Sequence, residues 1–132
     1  MFKQRRGMER MKIHESGENY LEVMLILSKE KGYIRSVDIA NKLSFSKASV
    51  SRAVSILKKS GYILIDGDGF IFLTPDGKKI AEKIYERHCF LIKCFKFLGV
   101  SEKNAEADAC KIEHNMSKET FEKLREHFNK FF

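Results

Sequence analysis

Tryptophan is absent from the 132 residues, and proline occurs once, at Pro75. One proline leaves nearly the whole chain open to helices and excludes a proline-rich linker. Cysteine is scarce too: Cys89, Cys94 and Cys110 are an odd three, which makes no disulfide framework and points to a reducing cytoplasm. No apolar run approaches the ~20 residues of a membrane span. The basic start MFKQRRGMERMK lacks the apolar stretch of a secretory signal, so no membrane partner is expected. A glycine-rich phosphate loop and a nucleophile–base pair are also missing, so neither an enzyme nor an organic cofactor is expected. One absence is local. Between residues 39 and 65 there is no acid, while Lys42, Lys47, Arg52, Lys58 and Lys59 bring five positive charges.

The rest of the composition is that of a soluble globular chain, 43% hydrophobic and 33% charged, long enough for one compact domain or two small modules sharing a core. The net charge of +7 is uneven: residues 1–12 carry five Lys/Arg against one Glu. That tail is either a solvated surface or an arm that touches DNA phosphates.

Taken in order, residues 1–14 are expected to lack structure until something binds them. A helix follows over about 17–30, with Tyr20, Val23, Met24 and Leu27 as its buried stripe. Residues 36–61 read as two short helices joined by a tight turn. Ser36 caps the first, with Ile39, Ala40 and Leu43 on one side; Ser46 caps the second, with Val50, Ala53, Val54 and Leu57 buried. Gly61 ends it. Two apolar runs flank Asp66-Gly67-Asp68-Gly69, a hairpin signal. Three helices and a hairpin make a winged helix-turn-helix. The fold class is therefore mainly α with a small β-hairpin wing: a basic arm over 1–15, a winged helix over 16–74 and a helical domain over 75–132.

On the exposed side of the second short helix, Lys47, Ser49, Ser51 and Arg52 suit the edges of bases in a DNA groove. Ser46, Lys42 and Lys58 are better placed for phosphates. Thr74-Pro75 opens a long helix to about Leu98, with Ala81, Ile84, Tyr85, His88, Ile92 and Phe95 as its stripe. Its end, CFLIKCFKFLGV, is apolar nearly all round and needs cover on more than one side. A second copy is the expected cover, through Phe90, Leu91, Phe95 and Leu98. Ser101 caps a helix to about Met116, and Ser117 a last one to about Phe128.

Cys110, Glu113 and His114 fall at i, i+3 and i+4, on one helix face, with Glu106 a turn earlier. Thiolate, carboxylate and imidazole together suit a first-row transition metal, not calcium or magnesium. Each residue alone also has an ordinary reading. His88 fits a hydrogen-bonded core histidine, Cys110 a small hydrophobe, and Glu113 with His114 a solvated face.

The winged helix, followed by RHCFLIKCFKFLGV and then EADACKIEHNMS, resembles the diphtheria-toxin-repressor family of metal-dependent transcriptional repressors, over roughly residues 16–128. The C-x-x-E-H segment, Arg87-His88 and the Leu-Gly-Val at the helix end carry the likeness. The resemblance implies an N-terminal winged helix and a C-terminal metal-binding and dimerisation domain. It implies a homodimer that binds a palindromic double-stranded operator when Fe(II) or Mn(II) is bound. It also implies Cys110, Glu113, His114 and His88 as ligands, with Glu22 as in the manganese-type members. Asn19 stands where those members have Asp and the iron type has Met, and Ile92 stands where the iron type has a second-site Glu. Cys110 is the iron-type residue, and the chain stops before the extra domain of the longer iron regulators, as in a short manganese-regulator-like form. Thiolate adds Zn(II) and Co(II) to the candidate metals. The alternative is a winged-helix regulator that needs no metal.

Overall fold

The computed structural model describes the backbone of residues 2–132 and the side chains from Ser16 onward. The chain divides into two compact units, residues 1–82 and 83–132.

In the first unit, helix α1 runs Phe2–Lys31. It is longer at its start than the expected 17–30: the backbone of residues 2–14, expected to lack structure, is helical. The side chains of the basic arm, 1–15, lie outside the described residues. Tyr20, Val23, Met24 and Leu27 are buried as their spacing predicts, together with Leu21, Glu22 and Leu25. Gly32 ends α1 with φ of +84°, a conformation that an L side chain rarely takes.

Helices α2 (Ser36–Leu43) and α3 (Lys47–Lys59) follow as the helix-turn-helix. The predicted cap of α2 is corrected. Arg35 is its N-cap residue and Ser36 its first helical residue, because Asp38 turns back to accept a hydrogen bond from the Arg35 N–H at 2.8 Å. Lys31 Nζ donates to the same carboxylate at 3.0 Å. Between the two helices Ser44 takes a left-handed conformation, φ +57°, which makes the connection tight. Ser46 caps α3 as predicted, its hydroxyl oxygen accepting from the Ser49 N–H at 3.1 Å.

The wing pairs β1 (Ile63–Ile65) with β2 (Ile71–Leu73) in antiparallel register, Leu64 opposite Phe72. Asp66 Oδ1 shapes the turn by accepting from the backbone N–H groups of Asp68 and Phe70, both at 2.9 Å. Ile34 adds a bridge to Ile71, its carbonyl accepting at 2.8 Å. Ile34, Ile39, Val50, Leu57 and Ile63 are nearly free of solvent and form the middle of this unit with Met24. A side chain on Gly77 would overlap the Tyr62 carbonyl, so α4 (Pro75–Phe97) starts close against the wing.

The second unit takes the rest of α4, then α5 (Glu102–Ile112) and α6 (Lys118–Phe128). Ser101 and Ser117 cap α5 and α6, accepting from the backbone N–H groups of Asn104 and Thr120. The predicted stripe of α4 is partly corrected. Ala81 and Ile84 are buried, but further on the helix buries Arg87, Leu91 and Cys94, while His88, Ile92 and Phe95 are only partly covered. An end that is apolar nearly all round does not reveal which side faces inward. Leu91 is 1% exposed within its own chain, so it has no surface left for a partner. Part of the cover comes from the same chain. Phe90 packs edge-on to Phe121 and Phe132, and Phe97 lies among Phe128, Phe131 and Phe132. An Arg125–Glu86 ion pair ties α6 to α4.

Candidate metal centre and nucleic-acid interface

The C-terminal unit brings four of the predicted ligand side chains together. Helix α5 ends at Ile112, short of the expected Met116, but Glu113 keeps helical φ and ψ of −59° and −30°. Cys110 and Glu113 therefore still share a face, and His114 follows in the same turn. Across from them α4 presents His88. Its Nδ1 lies 2.7 Å from Glu113 Oε2 and 3.8 Å from Cys110 Sγ. On the other side of the carboxylate, His114 Nε2 lies 3.3 Å from Glu113 Oε1. Glu113 is thus a fully buried carboxylate held between two imidazoles, with a solvent-reachable thiol beside one of them. Donor atoms of His88, Cys110 and Glu113 all lie within 4.8 Å of one another.

A buried carboxylate is costly unless cations or strong donors surround it. Among its polar neighbours are two rings and a thiol, each of which can give a lone pair to a metal once its proton is lost. One sulfur, one carboxylate and one imidazole nitrogen within 4.8 Å of one another, with the second imidazole on the other carboxylate oxygen, suit a divalent first-row transition ion and do not suit calcium or magnesium. The residues present therefore fit the group.

The remaining predicted ligands lie in the other unit. Glu22 is buried and Asn19 partly buried, both on α1. Glu106, placed on the ligand face by spacing, is exposed and outside the clusters found among the described residues.

Reading the sequence by spacing missed Arg87. It is 6% exposed, and its Nη1 donates to the backbone oxygens of Glu113 at 3.2 Å and of Met116 at 2.7 Å. Its guanidinium sits 5.0 Å from the Phe121 ring centre. The available signal was its position, three residues after Ile84 and four before Leu91 on the apolar side of α4. The other cysteine of note, Cys94, is a buried hydrophobe, and burial pushes its thiol pKa up.

The predicted DNA face is open. Lys47, Ser49, Ser51, Arg52 and Lys58 on α3 are exposed, as are Ser46 and, on α2, Lys42. Three of them are already engaged: the Ser46 hydroxyl donates to Ser49 Oγ at 2.9 Å while capping the helix. Lys42 Nζ lies 4.0 Å from Glu30, an exposed pair of small energetic weight.

Two family models match. The iron-dependent repressor N-terminal DNA-binding domain covers residues 12–69, and the iron-dependent repressor metal-binding and dimerisation domain covers residues 74–131. The HTH-type transcriptional regulator MntR of Geobacillus kaustophilus is 40% identical over 102 residues, 77% of this chain and 72% of that one. Among solved structures, the manganese regulator SloR superposes with a TM-score of 0.75 at 27% identity over 86% of this chain. The IdeR of T. acidophilum does so with 0.74 at 26% identity over 85%. This chain spans 53% of the length of each of those two structures. By both family models and the 40% identity to MntR, the chain belongs to the iron-dependent repressor family of metal-dependent transcriptional regulators, the family of the diphtheria toxin repressor.

Proposed function

We propose that this protein is a cytoplasmic metal-responsive repressor, not an enzyme, which binds a palindromic operator as a homodimer when a divalent transition metal occupies its site. The observation that carries the reading is the meeting of Cys110, His114 and His88 around the buried Glu113 carboxylate, in a chain whose other unit presents a basic, hydroxyl-bearing helix. Those four residues would hold the ion; Glu22 and Asn19 would join them on the family resemblance alone. The ion supplies positive charge that draws anionic and neutral donors into one geometry. Bound there it would act as an effector by favouring the DNA-competent state over the other. Two recognition helices must meet successive major grooves ~34 Å apart, so small changes in their spacing decide affinity. Lys47, Ser49, Ser51 and Arg52 enter the groove; Ser46, Lys42 and Lys58 meet phosphates.

Cys110 and the amide at Asn19 reduce the anionic oxygen character of the site. That favours Fe(II), Co(II) or Zn(II) over Mn(II) in affinity. The test is operator binding titrated with Mn(II), Fe(II), Zn(II), Co(II) and a chelator, with the wild type and His114→Ala. The wild type should tighten on the operator with at least one metal, by a coupling of about 5–150-fold. His114→Ala should stay dimeric and lose that response. Wild-type affinity that ignores every metal sinks the reading.

A second reading has one structural observation in its favour. Tyr20, Ala53, Ile56 and Leu57 line an apolar cavity of about 170 Å³ between α1 and α3. A winged-helix regulator without a metal requirement could answer to a small apolar molecule there. Operator binding unaffected by both metal and chelator is the result that selects it.

A further inference from the structure

We infer that Arg87 is a positioning residue for the metal donors, holding the turn that carries Cys110, Glu113 and His114 against His88; this rests on the metal-binding reading above. Two adjacent residues of α4 grip one residue at the end of α5. Arg87 donates to the Glu113 backbone oxygen at 3.2 Å, and His88 meets the Glu113 carboxylate at 2.7 Å. The second bond of Arg87, 2.7 Å to the Met116 oxygen, fixes the far end of the same turn. These carbonyls close a helix C-terminus, where the negative end of the backbone dipole gathers and a buried cation is favourable. Both bonds leave Nη1, whose two N–H groups are held in the guanidinium plane, so one rigid group serves two acceptors in a fixed direction.

That arrangement does more than fasten two helices. Three donors come from five consecutive residues, Cys110 to His114, and the fourth comes from the residue beside Arg87. Donor sites need their atoms placed to within about half an ångström. The distance from His88 to the other three depends on how the α5 turn is anchored to α4, and Arg87 makes that anchor. Its positive charge sits on the carbonyl end of the turn that carries the donors. Outer partners of this kind are typically worth about 10–100-fold in metal affinity.

The test uses Co(II) as the probe and the full chain. Ligand-field and thiolate charge-transfer bands report coordination, and circular dichroism reports helix content. Wild type should show a thiolate–Co(II) band. Arg87→Met, with helix content retained, should bind Co(II) about 10–100-fold more weakly and with a shifted ligand-field spectrum. Arg87→Lys, which keeps the charge but lacks the planar guanidinium with its fixed N–H directions, should fall between them. Cys94→Ala, a destabilising change in the same helix, should lower Tm and leave Co(II) affinity alone. Arg87→Met affinity within twofold of wild type overturns the inference. So does a Cys94→Ala loss equal to that of Arg87→Met, since that loss would be general loosening. If Arg87→Met does not fold, Arg87→Lys decides: unchanged affinity and spectrum overturn the inference. A wild type without a thiolate band removes the metal reading and this inference with it, whereas a wild type with the band and indifferent Arg87 variants removes this inference alone.

Discussion

Arg52 lies on the exposed side of α3 with no ion pair among the described residues, so its charge is available to a ligand. A guanidinium in a major groove can pair two-fold with a guanine edge, whereas on a phosphate it acts without regard to sequence. Arg52→Ala should weaken operator binding by about 1–3 kcal/mol, with a much smaller loss on random DNA. Gel-shift or anisotropy titrations on both DNAs, at one salt concentration, separate the two roles; equal losses would make Arg52 a phosphate contact. Residue by residue, the legibility of the sequence followed sequence distance. Cys110, Glu113 and His114 could be placed together because helical spacing alone does so. Arg87 could not be placed, because its work depends on carbonyls 26 and 29 residues away. A buried arginine is intelligible only once its acceptors are known.

At the scale of elements the same contrast holds. Ser46, Ser101 and Ser117 were readable as caps since a cap bonds to an amide three residues on. Ser36 looked equally suitable, yet α2 starts from Arg35, because Asp38 supplies the reciprocal bond from inside the first turn. The end of α4 is not legible in the sequence because side chains apolar all round fit several stripes; only tertiary packing selects Leu91 and Cys94 for burial. Asp38 gives α2 a pH signature. Its bonds to the Arg35 N–H and to Lys31 hold its carboxyl below the ordinary value of 3.8. A depressed folded-state pKa means stability that is present above that ordinary value and lost as pH falls through the lower folded one. Asp38→Ala should therefore cost about 0.5–2 kcal/mol at neutral pH, the range for a lost helix cap. The deficit relative to wild type should hold down to about pH 5 and shrink as the wild-type carboxylate is protonated in more acid solution. Urea melts of both proteins across that range check it; a deficit independent of pH would assign the cost to lost side-chain packing.

Across the whole molecule, the division of labour between sensing and assembly can be separated experimentally. His88, Cys110, Glu113 and His114 all come from one chain, so ion capture by these four does not itself require a second copy. Operator recognition does, if two half-sites are read. Within the apolar end of α4, Leu91 is spent on the chain's own core, and Phe90 is partly covered by Phe121 and Phe132. Leu98 remains 65% exposed and Phe97 53% exposed. An apolar pair so open, beside the expected interface, is where a second copy gains most by burying surface. Leu98→Glu places a charge there without touching the donors or α3. In sedimentation velocity it should shift the protein from dimer towards monomer. Operator affinity should fall by about 10²-fold or more as the second half-site contact ceases to be intramolecular, while Co(II) binding stays near wild type. A variant that remains dimeric would move the interface away from Leu98. A monomeric variant that also loses Co(II) would mean that the donors are held in place only in the dimer, so that assembly precedes sensing.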